Sequence, residues 1–162
     1  MPRMPAFRIL ACLAPLLLGL QCASDPPSSN SSAPSFTEGR LAFVQPSGDT
    51  LATIALAIAD TDAERQRGLM RQRSLGYDRG MLFIFEEVDS TGMWMKNTPL
   101  PLDIVFVDAE GRVLNVARGT TPFSETAITP AAPNKYAVEV RAGFADKFGL
   151  TDSTRVRWTR TD

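Results

Sequence analysis

Two stretches place chemically able side chains where a core would ordinarily exclude them. In "WMKNTPLPLDIVFVD", Trp94 to Asp108, the carboxylate of Asp103 interrupts an apolar run that begins at Pro99, three residues after Lys96. In "YAVEVRAG", Tyr136 to Gly143, Glu139 stands between Val138 and Val140. Successive side chains of a strand point to opposite faces. Asp103 therefore travels with Val105 and Val107, Trp94 with Lys96, and Glu139 with Ala137 and Arg141. An ionised carboxylate in apolar company is costly unless it is paired or hydrogen-bonded. The nearest cation to Asp103 in sequence is Lys96, and Arg67, beside Gly68, offers another. The expectation is a polar cleft around Lys96, Asp103 and Glu139, with Arg67 and the loop residues Asn97 and Thr98 beside it and Trp94 as an aromatic platform.

Three uses of such a cluster are open. A carboxylate pair, Asp103 with Glu139, supplies the acid and base that glycan hydrolysis needs. The same groups without turnover make a binding cleft for a small ligand, glycan or protein segment. An ion-pair network that only fixes strand register is the third, and such networks are common outside active sites. A non-catalytic binding module is the leading expectation, with Asp103, Glu139 and Lys96 as the residues to watch for catalysis.

Composition excludes several alternatives. The chain has no histidine, which removes Ser-His-Asp and Cys-His catalysis and any histidine-ligated zinc. Met70, Met81, Met93 and Met95 could suggest a thioether copper site, but flexible core filling explains them better. No metal or other cofactor is expected. Without Arg3 and Arg8 the formal charge falls from −1 to −3, so no nucleic-acid partner is expected either.

These residues need elements to hold them. "RLAFVQ" and "TLATIALAIA" read as strands, with Ile54, Leu56 and Ile58 toward one face. "DTDAERQRGLM" changes period: Thr61 followed by Glu64 is a capping box, and Gly68 is a stop. "GMLFIF" is apolar on both faces and suits a central, doubly covered strand. "MWMKN", "LDIVFVD", "VLNVAR" and "KYAVEVRA" are further strand candidates, with "DAEGR" as a hairpin turn. "GFADKFGL" reads as a second short helix and "RVRWTR" as a half-exposed last strand. The predicted architecture is mainly β (α+β): an antiparallel sandwich or barrel-like domain with two short helices, spanning residues 38–162.

Ahead of it, residues 1–21 combine Arg3 and Arg8 with the apolar "ILACLAPLLLGL", as an export signal does. Cys22 follows where a bacterial lipoprotein is cleaved and acylated, although Gln21 stands where a small residue is usual. Residues 22–37, including "SDPPSSNSSAPS", suit a flexible tether. The expectation is export to the bacterial cell envelope, with lipid attachment at Cys22 holding the domain to a membrane. Cys12 lies within the signal, so the domain has no cysteine pair for an internal disulfide.

"RGLM", "GMLFIF", "WMKNTPLPLDIVFVD" and "VEVRAG" together resemble the bacterial and archaeal domain-of-unknown-function family 192, from about residue 40 to the end. The resemblance implies a compact β-rich domain, often exported or tethered, and no established activity. Its characteristic polar and glycine residues fall on Arg67, Gly68, Gly80, Lys96, Asn97, Thr98, Asp103, Glu139 and Gly143. Two departures are present. "PFSETAITP" lacks the cysteine pair that many members carry there, and "TDSTRV" lacks the usual glycine beside Asp152.

Overall fold

The computed structural model describes residues 33–161. The expected signal segment, the acylation point Cys22 and the tether as far as residue 32 lie outside the described residues. Within them, seven strands and two short helices follow in order. The strands are β1 (Gly39–Val44), β2 (Thr50–Ala59), β3 (Arg79–Asp89), β4 (Leu102–Val107), β5 (Val113–Ala117), β6 (Asn134–Arg141) and β7 (Arg155–Arg160). Helix α1 (Asp62–Arg67) connects β2 to β3, and α2 (Phe144–Phe148) follows β6.

All seven strands belong to one sheet, ordered β5-β4-β6-β3-β2-β1-β7. It curls so far that Arg112, just before β5, bridges Arg155 at the start of β7. The expected mainly β, barrel-like domain with two short helices is what forms, from a single sheet. One correction concerns direction. β2 and β3 run parallel, so the sheet is mixed, because a helix-bearing crossover returns the chain to the same end before β3 begins. A second concerns "MWMKN", which forms no strand: only Met93 bridges, to Ile128.

Both faces of the sheet are covered, as the apolar pattern of β3 requires. All seven strands contribute to one cluster, which includes Leu41, Ile54, Leu82, Val105, Val113, Val138 and Val156, with Phe144 of α2 packed among them. The four central strands place Ala57, Met81, Phe83, Ile104, Phe106 and Ala137 on the opposite face. That face is covered by Leu69 and Leu75, from the segment after α1, and by Met95. Fully burying a Leu or Phe side chain contributes roughly 1.5–3 kcal/mol, so these layers rather than the helices carry the stability. Helices this short are marginal alone. α1 is held by its cap: Thr61 Oγ1 accepts from the Glu64 N–H at 3.3 Å, and Glu64 Oε2 accepts from the Thr61 N–H at 3.1 Å.

Gly80 explains how closely β3 and β6 approach. A Cβ there would lie 2.8 Å from the carbonyl oxygen of Glu139 and 2.7 Å from Ile54 Cδ1, too near for any other residue without displacement of the sheet. At the other end of the described chain, Phe36 packs against the central-strand face, and the Arg79 guanidinium lies 5.7 Å from its ring centre. The domain's packing therefore reaches into the end of the expected tether.

Candidate functional site

Register decides which of the expected residues meet. β4 pairs antiparallel with β6, placing Asp103 opposite Val140 and Ile104 opposite Glu139. Directly paired residues share a face. Asp103 therefore points into the seven-strand cluster and Glu139 into the opposite layer. The expected carboxylate pair does not form, because the sheet itself separates the two groups.

Asp103 is fully buried, and its two oxygens are separately engaged. Oδ1 accepts from the Gly119 N–H and Oδ2 from the Ala145 N–H, both at 2.9 Å. One side chain thus ties β4 to the segment after β5 and to the first turn of α2. This is an anchoring arrangement, and Lys96 takes no part in it.

Lys96 instead reaches Glu125, 3.4 Å away at the surface, and lies 5.2 Å from the ring centre of Trp94. The loop carrying both is fixed by its backbone. The Thr98 N–H donates to the Met95 carbonyl, and Asn97 takes φ 56°, the left-handed region that asparagine tolerates in turns. The Asn97 carbonyl accepts from the Arg71 N–H at 2.8 Å, so the turn is bound to the segment following α1. Asn97 shapes this loop and does not line the crevice beneath it. Met95 is buried, while Trp94 is 42% exposed.

Between α1, the outer half of β3 and this loop lies a crevice of about 530 Å³. Arg67, Trp94, Lys96, Thr98 and Glu139, five of the expected residues, line it together with Gly68. Buried Leu69 and Phe83 form its floor with Glu139, and exposed Trp94, Glu86, Glu87 and Asp89 stand at its rim. Glu139 is only 4% exposed. The backbone N–H of Leu69 is hydrogen-bonded to its carboxyl group, while Oε2 is buried with no hydrogen-bond partner. Burial pushes its pKa up to about 8, opposed only partly by the Leu69 bond. At neutral pH the group is mostly an uncharged carboxylic acid, able to donate a hydrogen bond as well as accept one.

Gly68 is what lets the crevice reach that carboxyl. It ends α1 with φ 47° and ψ −137°, and a Cβ there would stand 3.1 Å from Phe83 Cζ and 3.7 Å from Glu139 Oε2. Most rim charges are already engaged. Arg65 meets Asp62 and Glu86, Lys96 meets Glu125, and Asp89 accepts from the Ser90 N–H and the Thr91 hydroxyl.

The apolar lining, Leu69, Met70, Phe83, Phe85 and Met93, was not anticipated as part of a site. Its signal was present in β3, where Met81, Phe83 and Phe85 alternate on one face, the last of them at the edge of its cover. No group of three or more His, Cys, Asp or Glu placed to hold a metal ion occurs among the described residues, and none of their helices is long and apolar enough to cross a membrane.

The model of DUF192, described as "Uncharacterized ACR", matches residues 43–158. No curated protein matches the chain. Two crystal structures are similar to it. One, from Sinorhizobium meliloti 1021, carries the description "putative transcription regulator"; it is 31% identical, with 78% of this chain and 96% of that one covered and a TM-score of 0.73. The other, a protein of unknown function from Novosphingobium aromaticivorans DSM 12444, is 34% identical over 74% of this chain and 84% of that one, with a TM-score of 0.70.

Proposed function

The chain belongs to the DUF192 family, and from the crevice of this member we propose a non-catalytic binding module of the bacterial cell envelope. Its ligand is a small molecule, glycan or protein segment seated between α1, β3 and the Trp94–Thr98 loop. The observation that carries this reading is the buried, unpartnered Oε2 of Glu139 at the floor of an otherwise apolar crevice. An unsatisfied buried polar atom costs roughly 1–3 kcal/mol, and a guest that meets it recovers that cost. A volume of about 530 Å³ suits a small-molecule site.

Hydrolysis by Asp103 and Glu139 is not part of the proposal, since the two lie on opposite faces. Placement in the envelope draws on the sequence alone: the charged and apolar segment before residue 22, Cys22, and the Ser/Pro-rich stretch after it. Acyl chains on Cys22 would hold the module at a membrane. The acidic balance of the processed chain supports no nucleic-acid partner.

The test is a thermal-stability screen of the full chain against envelope components, run on wild type, Glu139→Leu and Asp103→Asn. A ligand-induced rise that Glu139→Leu diminishes and Asp103→Asn retains, despite a lower starting melting temperature, supports the crevice. If no component ever shifts the parent, the binding reading fails.

A further inference from the structure

Building on the crevice as the binding site, we propose that its occupant is an N-acylated sugar: the acetamido carbonyl oxygen accepts a hydrogen bond from Glu139 Oε2, and the sugar ring packs on Trp94. Three features of the site select this class.

The first is the floor. Glu139 shares it with Leu69 and Phe83, and the Leu69 N–H already meets the carboxyl group. In the neutral acid the proton belongs on the oxygen that does not accept that bond, which leaves Oε2 as a donor aimed at apolar space. The matching guest is small, apolar and uncharged, with a strong acceptor. An acetyl group on nitrogen meets all four requirements, its methyl against Phe83 and its carbonyl on Oε2.

The second is charge. Arg65, Lys96 and Asp89 are each engaged by neighbours within the protein. Asp89 is met only by uncharged donors and Glu87 stands beside it on the rim, so an anionic guest would face carboxylates there. An ammonium finds carboxylates at the rim but, at Oε2 on the floor, only a proton donor, which an uncharged acceptor satisfies.

The third separates a sugar from a peptide. An extended peptide would need main-chain partners along the outer half of β3. Two carbonyls there are already taken: Ile84 accepts from Arg65 Nη1 at 2.9 Å, and Glu86 accepts from Lys135 Nζ at 2.8 Å. The rim offers an aromatic ring instead. Lys96 lies over one face of Trp94, and the guest packs against the face it leaves open, as the apolar C–H face of a pyranose can.

The experiment follows the backbone amide of Leu69 and the indole N–H of Trp94 by two-dimensional NMR of the full chain. Four probes are titrated: the β-1,4-linked disaccharide of N-acetylglucosamine, its deacetylated diamine, cellobiose, and an acetylated Ala-Ala amide. The acetylated disaccharide is expected to shift both resonances saturably, with the diamine and cellobiose weaker by about tenfold or more, the scale of one lost hydrogen bond to a buried donor. Glu139→Gln, which keeps a donor, should stay within about threefold of wild type, and Glu139→Leu should lose about tenfold. Comparing acetylated with deacetylated probe on wild type alone decides the matter should Glu139→Leu not fold. Equal or tighter binding of the diamine or cellobiose overturns the acetamido assignment, as does preference for the peptide, yet each leaves the crevice as a binding site. If no probe moves either resonance, the acetamido assignment is overturned. The crevice then stands or falls on the wider screen.

Discussion

Glu139 should make the protein lose stability as pH rises. Its pKa in the folded state is about 8, against 4.5 as the ordinary value. Between those values the folded chain holds a proton that the unfolded chain has released, so stability is fully present below about pH 4.5 and falls until the pH passes 8. Three and a half units at about 1.4 kcal/mol each give about 5 kcal/mol in all, of which about 4 kcal/mol falls between pH 5 and pH 9.

Glu139→Gln keeps the shape and removes the titration. Asp62, Arg65, Arg67, Glu86, Glu87, Asp89 and Lys96 also face the crevice, but they are common to both proteins and largely cancel in the difference. Urea unfolding of both proteins at intervals from pH 5 to pH 9 should show wild type declining relative to Glu139→Gln by about 4 kcal/mol. Parallel curves would mean that Glu139 is hydrated and ionised in the folded state. A wild type that gains on the variant as pH rises would mean that it is paired with a cation. Either result refutes the neutral acid at the floor.

Other outcomes follow from the same geometry. Asp103→Ala should cost about 3–5 kcal/mol in urea unfolding, since it strands the Gly119 and Ala145 N–H groups, while any ligand affinity of the crevice stays unchanged in the folded fraction. Gly68→Ala should cost about 1–3 kcal/mol because of its backbone conformation, and should weaken crevice ligands by bringing a methyl group toward Phe83 and Glu139 Oε2. The proposed lipid attachment rests on the sequence rather than on this geometry, and Cys22→Ser tests it: the wild type should carry a lipid mass and sediment with membranes, and the variant should do neither.

Much of the fold was legible because β2 and β7 advertise themselves by alternation, β3 by a run that is apolar on both faces, and α1 by its capping box. Direction was not. Alternation in β2 and β3 is the same for parallel and antiparallel neighbours, and only the helix-bearing connection between them hinted at a crossover. "MWMKN" misled for an instructive reason: Met93 and Met95 do turn inward and Trp94 outward, as in a strand, yet Asn97 turns the chain before a ladder can form. The site was half legible. Alternation correctly sorted Asp103 from Ile104 and Glu139 from Val138, but it ranks faces only within a strand. Whether Asp103 and Glu139 share a side depends on β4–β6 register, which neither segment encodes alone. The residues that do converge come from α1, the Trp94–Thr98 loop and β6, brought together by a crossover that local sequence does not specify.

The bridge between Arg112 and Arg155 has a consequence for molecules crowded together. It is backed by hydrogen bonds from the Val113 N–H to the Thr154 carbonyl and from the Val156 N–H to the Gly111 carbonyl, so the two outermost strands satisfy each other where they would otherwise stand open. What remains of β7 presents Arg157 and Arg160 to solvent, and cations on an exposed margin discourage a second copy from adding its own strand. The sheet thereby guards itself against growing into fibrils at high local density.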